Sequence, residues 1–129
     1  MKNLLLIFTL LFTSVFFSSP SYAEWTKLGK NKKETTYYVD FERISRQGRY
    51  VHWWELGDRL KPNASGYSSN KAYKKGDCKL FRYKYLSHTN HIKKMGRGNG
   101  KTVTPKNSQW YYPSPNSSIE SVLKSVCSR

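Results

Sequence analysis

The chain has 129 residues, of which 23 are lysine or arginine and 8 are aspartate or glutamate, so its formal net charge is +15. This length allows one domain and excludes a multidomain enzyme. The strong positive charge indicates attraction to anionic polymers.

The start of the chain has the features of an export signal. Lys2 supplies a positive charge, residues 4–17 form an apolar run, and Ser21-Tyr22-Ala23 places small residues where signal peptidase reads. The apolar run is too short to span a bilayer as a mature helix. We therefore expect residues 1–23 to be a signal peptide and residues 24–129 to be an exported domain, periplasmic or extracellular. An uncleaved N-terminal anchor is the alternative, and the absence of a cysteine at the cleavage site predicts no lipid anchor.

Cys78 and Cys127 are the two cysteines of the chain. Two lone cysteines in an oxidising compartment are expected to pair. Because they form no Cys-x-x-Cys motif, a redox-active pair of thiols is not indicated. The sequence predicts one structural disulfide that joins the last segment of the chain to its middle.

Strands dominate the prediction up to the last dozen residues. A short strand is predicted at residues 25–28, and β-branched and aromatic residues after a turn predict another at residues 35–40. Residues 50–60 alternate with a period of two, which predicts a third strand in which Trp53 and Glu55 face opposite to Trp54 and Leu56. The polar residues 61–75 predict a long surface loop. Residues 78–87 predict a further strand, residues 91–95 and 102–104 a hairpin around a glycine-rich turn, and residues 110–112 an edge strand.

A helix is predicted at the C-terminus. Ser117 and Glu120 form a capping box, and an apolar stripe follows at helical spacing, made of Ile119, Val122, Leu123, Val126 and Cys127. The fold class predicted is therefore α+β, a single antiparallel sheet of about six strands with a C-terminal helix linked by the disulfide onto one face.

The disulfide also predicts which side chains face the helix. If Cys78 and Leu80 point towards the helix, then Phe81, Tyr83 and Tyr85 point to the opposite face of the sheet. A β-bulge would reverse this assignment. An aromatic row on a face without a helix requires a partner, which can be a ligand, a covering loop or a second subunit, so a homodimer is left open.

Basic residues are concentrated in the second half of the domain. Residues 71–106 contain eleven lysines or arginines and one acidic residue, Asp77. Aromatic residues are interleaved with these cations, which is typical of surfaces that bind polyanions. The predicted ligand-binding residues are Lys79, Phe81, Tyr83, Tyr85, Lys93, Lys94 and Arg97. A basic surface that only keeps an exported protein soluble is the alternative.

Two motifs suggest other chemistry and fail on inspection. The glycine-rich residues 96–102 are similar to a phosphate-binding loop, but Met95 stands where the first glycine is required and no helix is predicted after it. His88 and His91 lie on opposite sides of a strand, so joint metal ligation needs a turn between them. Acid–base catalysis by these histidines with Lys84 or Lys93 is not selected by their spacing over scattered surface histidines. We therefore expect no catalytic residues, no metal and no cofactor.

Several motifs follow one another in an order that is informative as a whole: Trp25, Tyr37-Tyr38-Val39-Asp40, Trp54-Glu55-Leu56 with Asp58, Cys78, Trp110, Pro-Ser-Pro-Asn-Ser-Ser at residues 113–118, and Cys127. This order resembles the surface-adhesin protein E-like domain family of exported bacterial proteins. The resemblance implies an antiparallel sheet with a C-terminal helix disulfide-bonded onto one face. It also implies an adhesive role, since the adhesin that gives the family its name is an outer-membrane lipoprotein that binds host matrix and serum proteins and can dimerise.

The sequence thus favours an exported, non-catalytic, adhesin-like module that captures anionic or host matrix ligands. Expected partners are a host matrix or serum protein, a sulfated glycan or lipopolysaccharide, with nucleic acid bound only non-specifically. Two alternatives stay open, a small nuclease-like hydrolase of anionic polymers and a periplasmic structural partner of an envelope complex.

Overall fold

A computed structural model describes residues 23–129, which form one antiparallel sheet and one α-helix. The elements are β1 (Thr26–Lys30), β2 (Thr35–Val39), β3 (Ser45–Gln47), β4 (Tyr50–Arg59), β5 (Ser69–Asp77), β6 (Arg82–His91), β7 (Gly100–Val103) and helix α1 (Ser118–Cys127). The strand order is β1-β2-β4-β5-β6-β7, and β3 pairs with the same edge of β4 as β2 does. The α+β fold class is confirmed, while the predicted signal peptide lies outside the described residues except for Ala23.

Helix α1 forms where the capping box predicts it. The amide of Glu120 donates to the Ser117 hydroxyl, and the Glu120 carboxylate accepts from the Asn116 amide. Three residues of the apolar stripe are buried against β2 and β4, where Val39, Val51 and Trp53 complete the core; they are Val122, Leu123 and Val126. The Cys78–Cys127 disulfide is confirmed and ties the end of α1 to the end of β5.

Gly76 in β5 sets how closely α1 approaches the sheet. A Cβ atom at this position would lie 2.9 Å from the Trp53 ring and 3.0 Å from both Leu123 and Val51. Because these are core side chains with no room to move, any larger residue would push the helix away.

Across residues 23–129 the structure contains no helix long and apolar enough to cross a membrane.

The prediction of a long loop at residues 61–75 is wrong for its second half. Strand β5 begins at Ser69, and the loop that precedes it is closed by Asn63, whose side-chain oxygen accepts from the amides of Ser65 and Tyr67. Polar composition concealed the strand, because Lys74 is fully buried and the segment has few apolar residues. Strand prediction from hydrophobic alternation fails when an inward-facing position holds a paired lysine.

The strand predicted at residues 78–87 lies four residues further along, as β6. Residues 78–81 form a turn in which the Asp77 carboxylate accepts from the Lys79 and Leu80 amides and Phe81 adopts a left-handed φ of 52°. Leu80 is exposed in this turn, so the prediction that it faces the helix is wrong. The predicted hairpin forms between β6 and β7, but its first strand ends at His91 and the 3₁₀ turn Lys94–Gly96 lies in the connection. The predicted edge strand at 110–112 is a single bridge between Tyr111 and Tyr83.

The turn reverses the predicted facing of the aromatic residues in β6. Directly paired residues of neighbouring antiparallel strands share one face of the sheet. Tyr83 is paired with Gly76, which faces α1, and Tyr85 is paired with Lys74, which lies opposite the core residue Trp53. Tyr83 and Tyr85 therefore lie on the helix side, and the prediction that they form a row on the opposite face is wrong. Phe81 also packs against the helix-side core.

A cationic aromatic face as the candidate site

The structure distributes the predicted ligand-binding residues over three places. Lys79 is exposed in the turn after β5 at one end of the sheet. Phe81, Tyr83 and Tyr85 lie on the helix side and are partly buried. The remaining residues, in and around the Lys94–Gly96 turn, lie at the opposite end of β5 and are exposed; they are Lys93, Lys94 and Arg97. The predicted residues therefore do not form one continuous patch.

Tyr83 and Tyr85 have a structural role in the core. Lys74 Nζ lies 5.1 Å from the Tyr83 ring centroid and 4.6 Å from the Tyr85 ring centroid. The same ammonium group donates to the Glu55 carboxylate at 2.5 Å. Burial acts to lower the pKa of Lys74, but the Glu55 carboxylate and the two tyrosines outweigh it and hold that pKa above the ordinary lysine value. Burial also raises the pKa of Tyr83. These rings enclose a buried ion pair, which explains their position without a ligand.

The turn that carries Lys93, Lys94 and Arg97 is fixed against the helix-free side of the sheet. The Ser69 hydroxyl donates to the Lys93 carbonyl and accepts from the Gly96 amide at 2.8 Å. Lys94 Nζ donates to the Arg59 carbonyl at 2.7 Å. Two of the three cations thus keep their charged groups free of ion pairs within residues 23–129, whereas Lys94 lies 3.7 Å from the Asp58 carboxylate.

A larger surface of alternating aromatic and basic side chains covers the face of the sheet opposite α1. Register places on this face the side chains that alternate with the core residues of β4, β5 and β6. We call it the cationic aromatic face and define it by Tyr50, His52, Trp54, Tyr73, Lys75, Arg82, Lys84 and Trp110. All eight are partly exposed.

Cations lie over aromatic rings at one end of this face. Tyr50 and Trp110 are stacked with their ring centroids 6.3 Å apart. Lys75 Nζ lies 4.4 Å from the Tyr50 ring centroid. The Arg82 guanidinium carbon and Lys84 Nζ lie 4.4 and 4.7 Å from the Trp110 ring centroid. Such contacts hold long, flexible cations in place while leaving their charges near solvent.

The other end of the face continues the aromatic surface. Trp54 and Tyr73 are stacked at 5.0 Å, and His52 lies 5.9 Å from Tyr73. The guanidinium of Arg43 lies 5.6 Å from the Trp54 ring. The sheet therefore presents rings in two clusters, each bordered by positive charge.

The central row of the face brings like charges together. Lys75 is paired directly with Lys84 across β5 and β6, and His52 lies opposite Lys75 on β4. Within residues 23–129 neither lysine forms a salt bridge to an acidic residue. Burial and the neighbouring Lys75 charge lower the pKa of His52. Like charges directly opposite each other destabilise a sheet, so this row is a place where a bound anion would be stabilising.

Asp77 anchors the arginines at the edge of this face. Its carboxylate is fully buried and accepts from Arg49 at 2.5 and 2.9 Å and from Arg82 at 3.1 Å. The Arg49 guanidinium is the main cause that holds the pKa of Asp77 well below its usual range, with the Leu80 amide and Arg82 adding to the effect. The single acid of the basic stretch therefore positions Arg82 over Trp110.

We expect Asp77→Asn to lower the free energy of unfolding by about 2 kcal/mol at neutral pH, because charge-assisted hydrogen bonds to two arginines are lost. The folded pKa lies below the unfolded value near 3.9, so the wild-type contribution is complete above about pH 4–5 and declines as the pH falls towards the folded pKa. Urea denaturation of both proteins at about pH 7 and about pH 3 should show the difference narrowing in acid. An equal difference at both pH values would contradict this role.

Sequence reasoning missed most of the cationic aromatic face. Tyr73 and Lys75 fell in the segment predicted as a loop. Arg82 and Lys84 were counted in the basic stretch of residues 71–106 but were not among the predicted ligand-binding residues. The available signal was the alternation of Lys71, Tyr73 and Lys75, which has a strand period of two and matches the alternation of residues 50, 52 and 54 in β4.

The two histidines of β6 do not form a joint site. His88 is paired with Ala72 on the helix side, whereas His91 is paired with Ser69, lies buried on the opposite side and contacts the Gly98 carbonyl through Nδ1 at 3.1 Å. Among residues 23–129 no group of three histidine, cysteine or acidic side chains is arranged to hold a metal ion.

The chain has relatives of known fold. Residues 25–128 match the family model described as Surface-adhesin protein E. Crystal form II of Haemophilus influenzae protein E has a TM-score of 0.61 and 18% sequence identity, covering 84% of this chain and 90% of that chain. Protein E from non-typeable Haemophilus influenzae has a TM-score of 0.56 and 17% identity, covering 85% and 79%. At these identities the likeness establishes the fold alone, and no curated protein matches the chain by sequence.

Proposed function

The chain belongs to the surface-adhesin protein E family, and we propose that it is an exported, non-catalytic binding module that captures anionic polymers on its cationic aromatic face. Sulfated glycans are the favoured partner class, because they combine dense negative charge with sugar rings that pack against aromatic side chains. Host matrix or serum proteins and lipopolysaccharide are the alternatives. Nucleic acid is expected to bind through its charge only, without sequence preference.

The observation that carries this proposal is the pairing of Lys75 with Lys84, each held over an aromatic ring. A basic surface that serves only solubility gains nothing from placing two cations directly opposite each other, because the repulsion destabilises the sheet. Their rings, Tyr50 and Trp110, also supply contact area beside the charges. Cations and stacking platforms side by side are how polyanion-binding grooves are commonly built.

We expect the double variant Lys75→Gln/Lys84→Gln to bind heparin about 25- to 60-fold more weakly near 0.1 M salt, because each lost ionic contact weakens binding by roughly 5- to 8-fold under these conditions. Its thermal stability should be unchanged or raised, since the variant removes a repulsion. Lys32→Gln/Lys33→Gln is the matched control, because it makes the same change in net charge in an exposed turn between β1 and β2. Affinity would be measured by titration calorimetry and retention on a heparin column.

Equal losses in the two double variants would mean that binding follows net charge and not this face. A triple variant, Lys93→Glu/Lys94→Glu/Arg97→Glu, tests whether the turn at the end of the sheet extends the site. Cleavage of heparin or RNA that disappears in His88→Ala would instead support a hydrolase. Binding of an envelope protein that does not weaken with salt would support a structural partner.

A further inference from the structure

A cleft that differs from the cationic aromatic face lies beside β6, on the same side of the sheet as α1. It has a volume of about 380 Å³, is open to solvent, and lies between β6 and the segment that follows β7. Its lining includes Tyr85 and His88 from β6 and Tyr111 from the covering segment. This cleft is separate from the cationic aromatic face, since the sheet itself lies between them.

The cleft is held open by hydrogen bonds that do not depend on a ligand. The backbones of Tyr83 and Tyr111 exchange two hydrogen bonds of 2.8 and 2.9 Å. The Ser108 hydroxyl donates to the Tyr85 carbonyl at 2.5 Å. These contacts attach the covering segment to β6 at two points three residues apart, so the walls are pre-formed, as is usual for small-molecule sites.

The lining combines aromatic rings with uncharged polar groups. The rings of Tyr85 and Tyr111 lie 6.4 Å apart and nearly perpendicular, and His88 lies 6.1 Å from Tyr85. Asn107 and Gln109 add side-chain amides, and no lysine, arginine or acidic residue lines the cleft. In a chain of net charge +15, a concave site without charge is chemically distinct from the surrounding surface.

The buried Lys74 ammonium near this cleft is neutralised by a counter-charge. Lys74 lies behind the Tyr85 ring, with its Nζ atom 4.6 Å from the ring centroid, but its charge is paired with the Glu55 carboxylate. A ligand in the cleft would therefore meet two aromatic surfaces and groups that both donate and accept hydrogen bonds. It would gain little from carrying a charge.

We infer that this cleft binds the neutral end of a carbohydrate, of the size of one or two sugar rings. The C–H face of a pyranose packs on tyrosine rings, and adjacent hydroxyls match the paired donor and acceptor of an amide side chain. The volume lies at the lower end of the range for small-molecule sites, which excludes a long polymer lying wholly within it. Binding here does not require the cationic aromatic face to function.

The test uses the mature protein, residues 24–129, with three neutral sugars as probes: lactose, maltotriose and triacetylchitotriose. Saturation-transfer difference NMR should show transfer from the protein to the C–H protons of at least one sugar. Because no charge is involved, the signal should be unchanged between about 0.05 and 0.5 M salt. Tyr111→Ala should reduce it at least fivefold, and Tyr111→Phe should retain most of it.

Tyr112→Ala is the matched control, since Tyr112 is an exposed neighbour on the same segment that does not line the cleft. Its sugar signal should equal that of the wild type, and so should that of Lys75→Gln/Lys84→Gln, which tests the other face. The inference is overturned if none of the three sugars receives saturation, if Tyr111→Ala and Tyr112→Ala behave alike, or if only an anionic heparin disaccharide binds.

Discussion

Replacing Glu55 by glutamine is expected to lower the free energy of unfolding by about 3–5 kcal/mol, because it leaves the Lys74 ammonium buried without a counter-charge. Lys74 is 1% exposed and Glu55 is 4% exposed, so solvent cannot replace the lost partner. The indole of Trp53 also donates to Glu55, at 3.4 Å, and would keep a weaker acceptor in the variant. A loss of this size is a large fraction of the stability of a small domain.

The pH dependence of Glu55→Gln identifies the buried charge as the cause. Without the carboxylate, burial outweighs the two tyrosine rings, and the folded pKa of Lys74 should fall below the ordinary lysine value near 10.4. The unfolded state then binds more protons than the folded state, so the stability of the variant should rise with pH. Urea denaturation at about pH 6 and about pH 9 should show the deficit shrinking at the higher value.

A double variant separates the ion pair from the packing around it. Glu55→Gln/Lys74→Met removes both charges, keeps similar volumes and leaves the Trp53 indole a side-chain acceptor, and removing both charges of a buried pair is often neutral or stabilising. We expect it to recover most of the stability lost in Glu55→Gln. If the double variant is as unstable as the single one, the deficit comes from packing against Tyr83 and Tyr85 and not from an unpaired charge.

The same ion pair explains why part of the fold was not predictable from local patterns. Helix α1 was predicted well because its cap and stripe are local signals that its burial then satisfies. Strand β5 was missed because Lys74 reads as an exposed residue, and only its pairing with Glu55 on β4 makes it an inward-facing one. That pairing joins residues 19 apart in sequence, which no short window contains.

The cationic aromatic face was even less predictable from the sequence than strand β5. Its basic character was predictable from composition, since the eleven cations of residues 71–106 are a matter of sequence. Which aromatics share a face with them depended on the length of one turn, and Phe81 has a left-handed φ there that its residue type does not indicate. Shifting the start of β6 to Arg82 moved Tyr83 and Tyr85 to the core and left Trp110, from a distant segment, to complete the face.

Removing the disulfide in Cys78→Ser/Cys127→Ser is expected to lower the free energy of unfolding by about 4 kcal/mol, because the unfolded chain regains the freedom of the 48-residue loop between the two cysteines. The helix should remain docked in the folded state, since Val122, Leu123 and Val126 stay buried and Arg46 still donates to the Cys127 carbonyl at 2.7 Å. Far-UV circular dichroism at low temperature should therefore be unchanged, while the melting temperature falls by about 15–30 °C.

Reduction of the wild-type protein supplies the control for the serine substitutions. If the cross-link acts through the unfolded chain, reduced wild type and the double serine variant should melt at similar temperatures, both well below the oxidised protein. A variant that melts as the oxidised protein does would mean that the buried face of α1 alone fixes the helix. A variant that loses its helical signal while still folded would mean that the disulfide positions α1, and that Gly76 only leaves room for the helix.

Because the cationic aromatic face lies on the other side of the sheet from α1, heparin affinity should survive in the folded double serine variant. Such a result would show that heparin binding does not depend on how α1 is attached to the sheet.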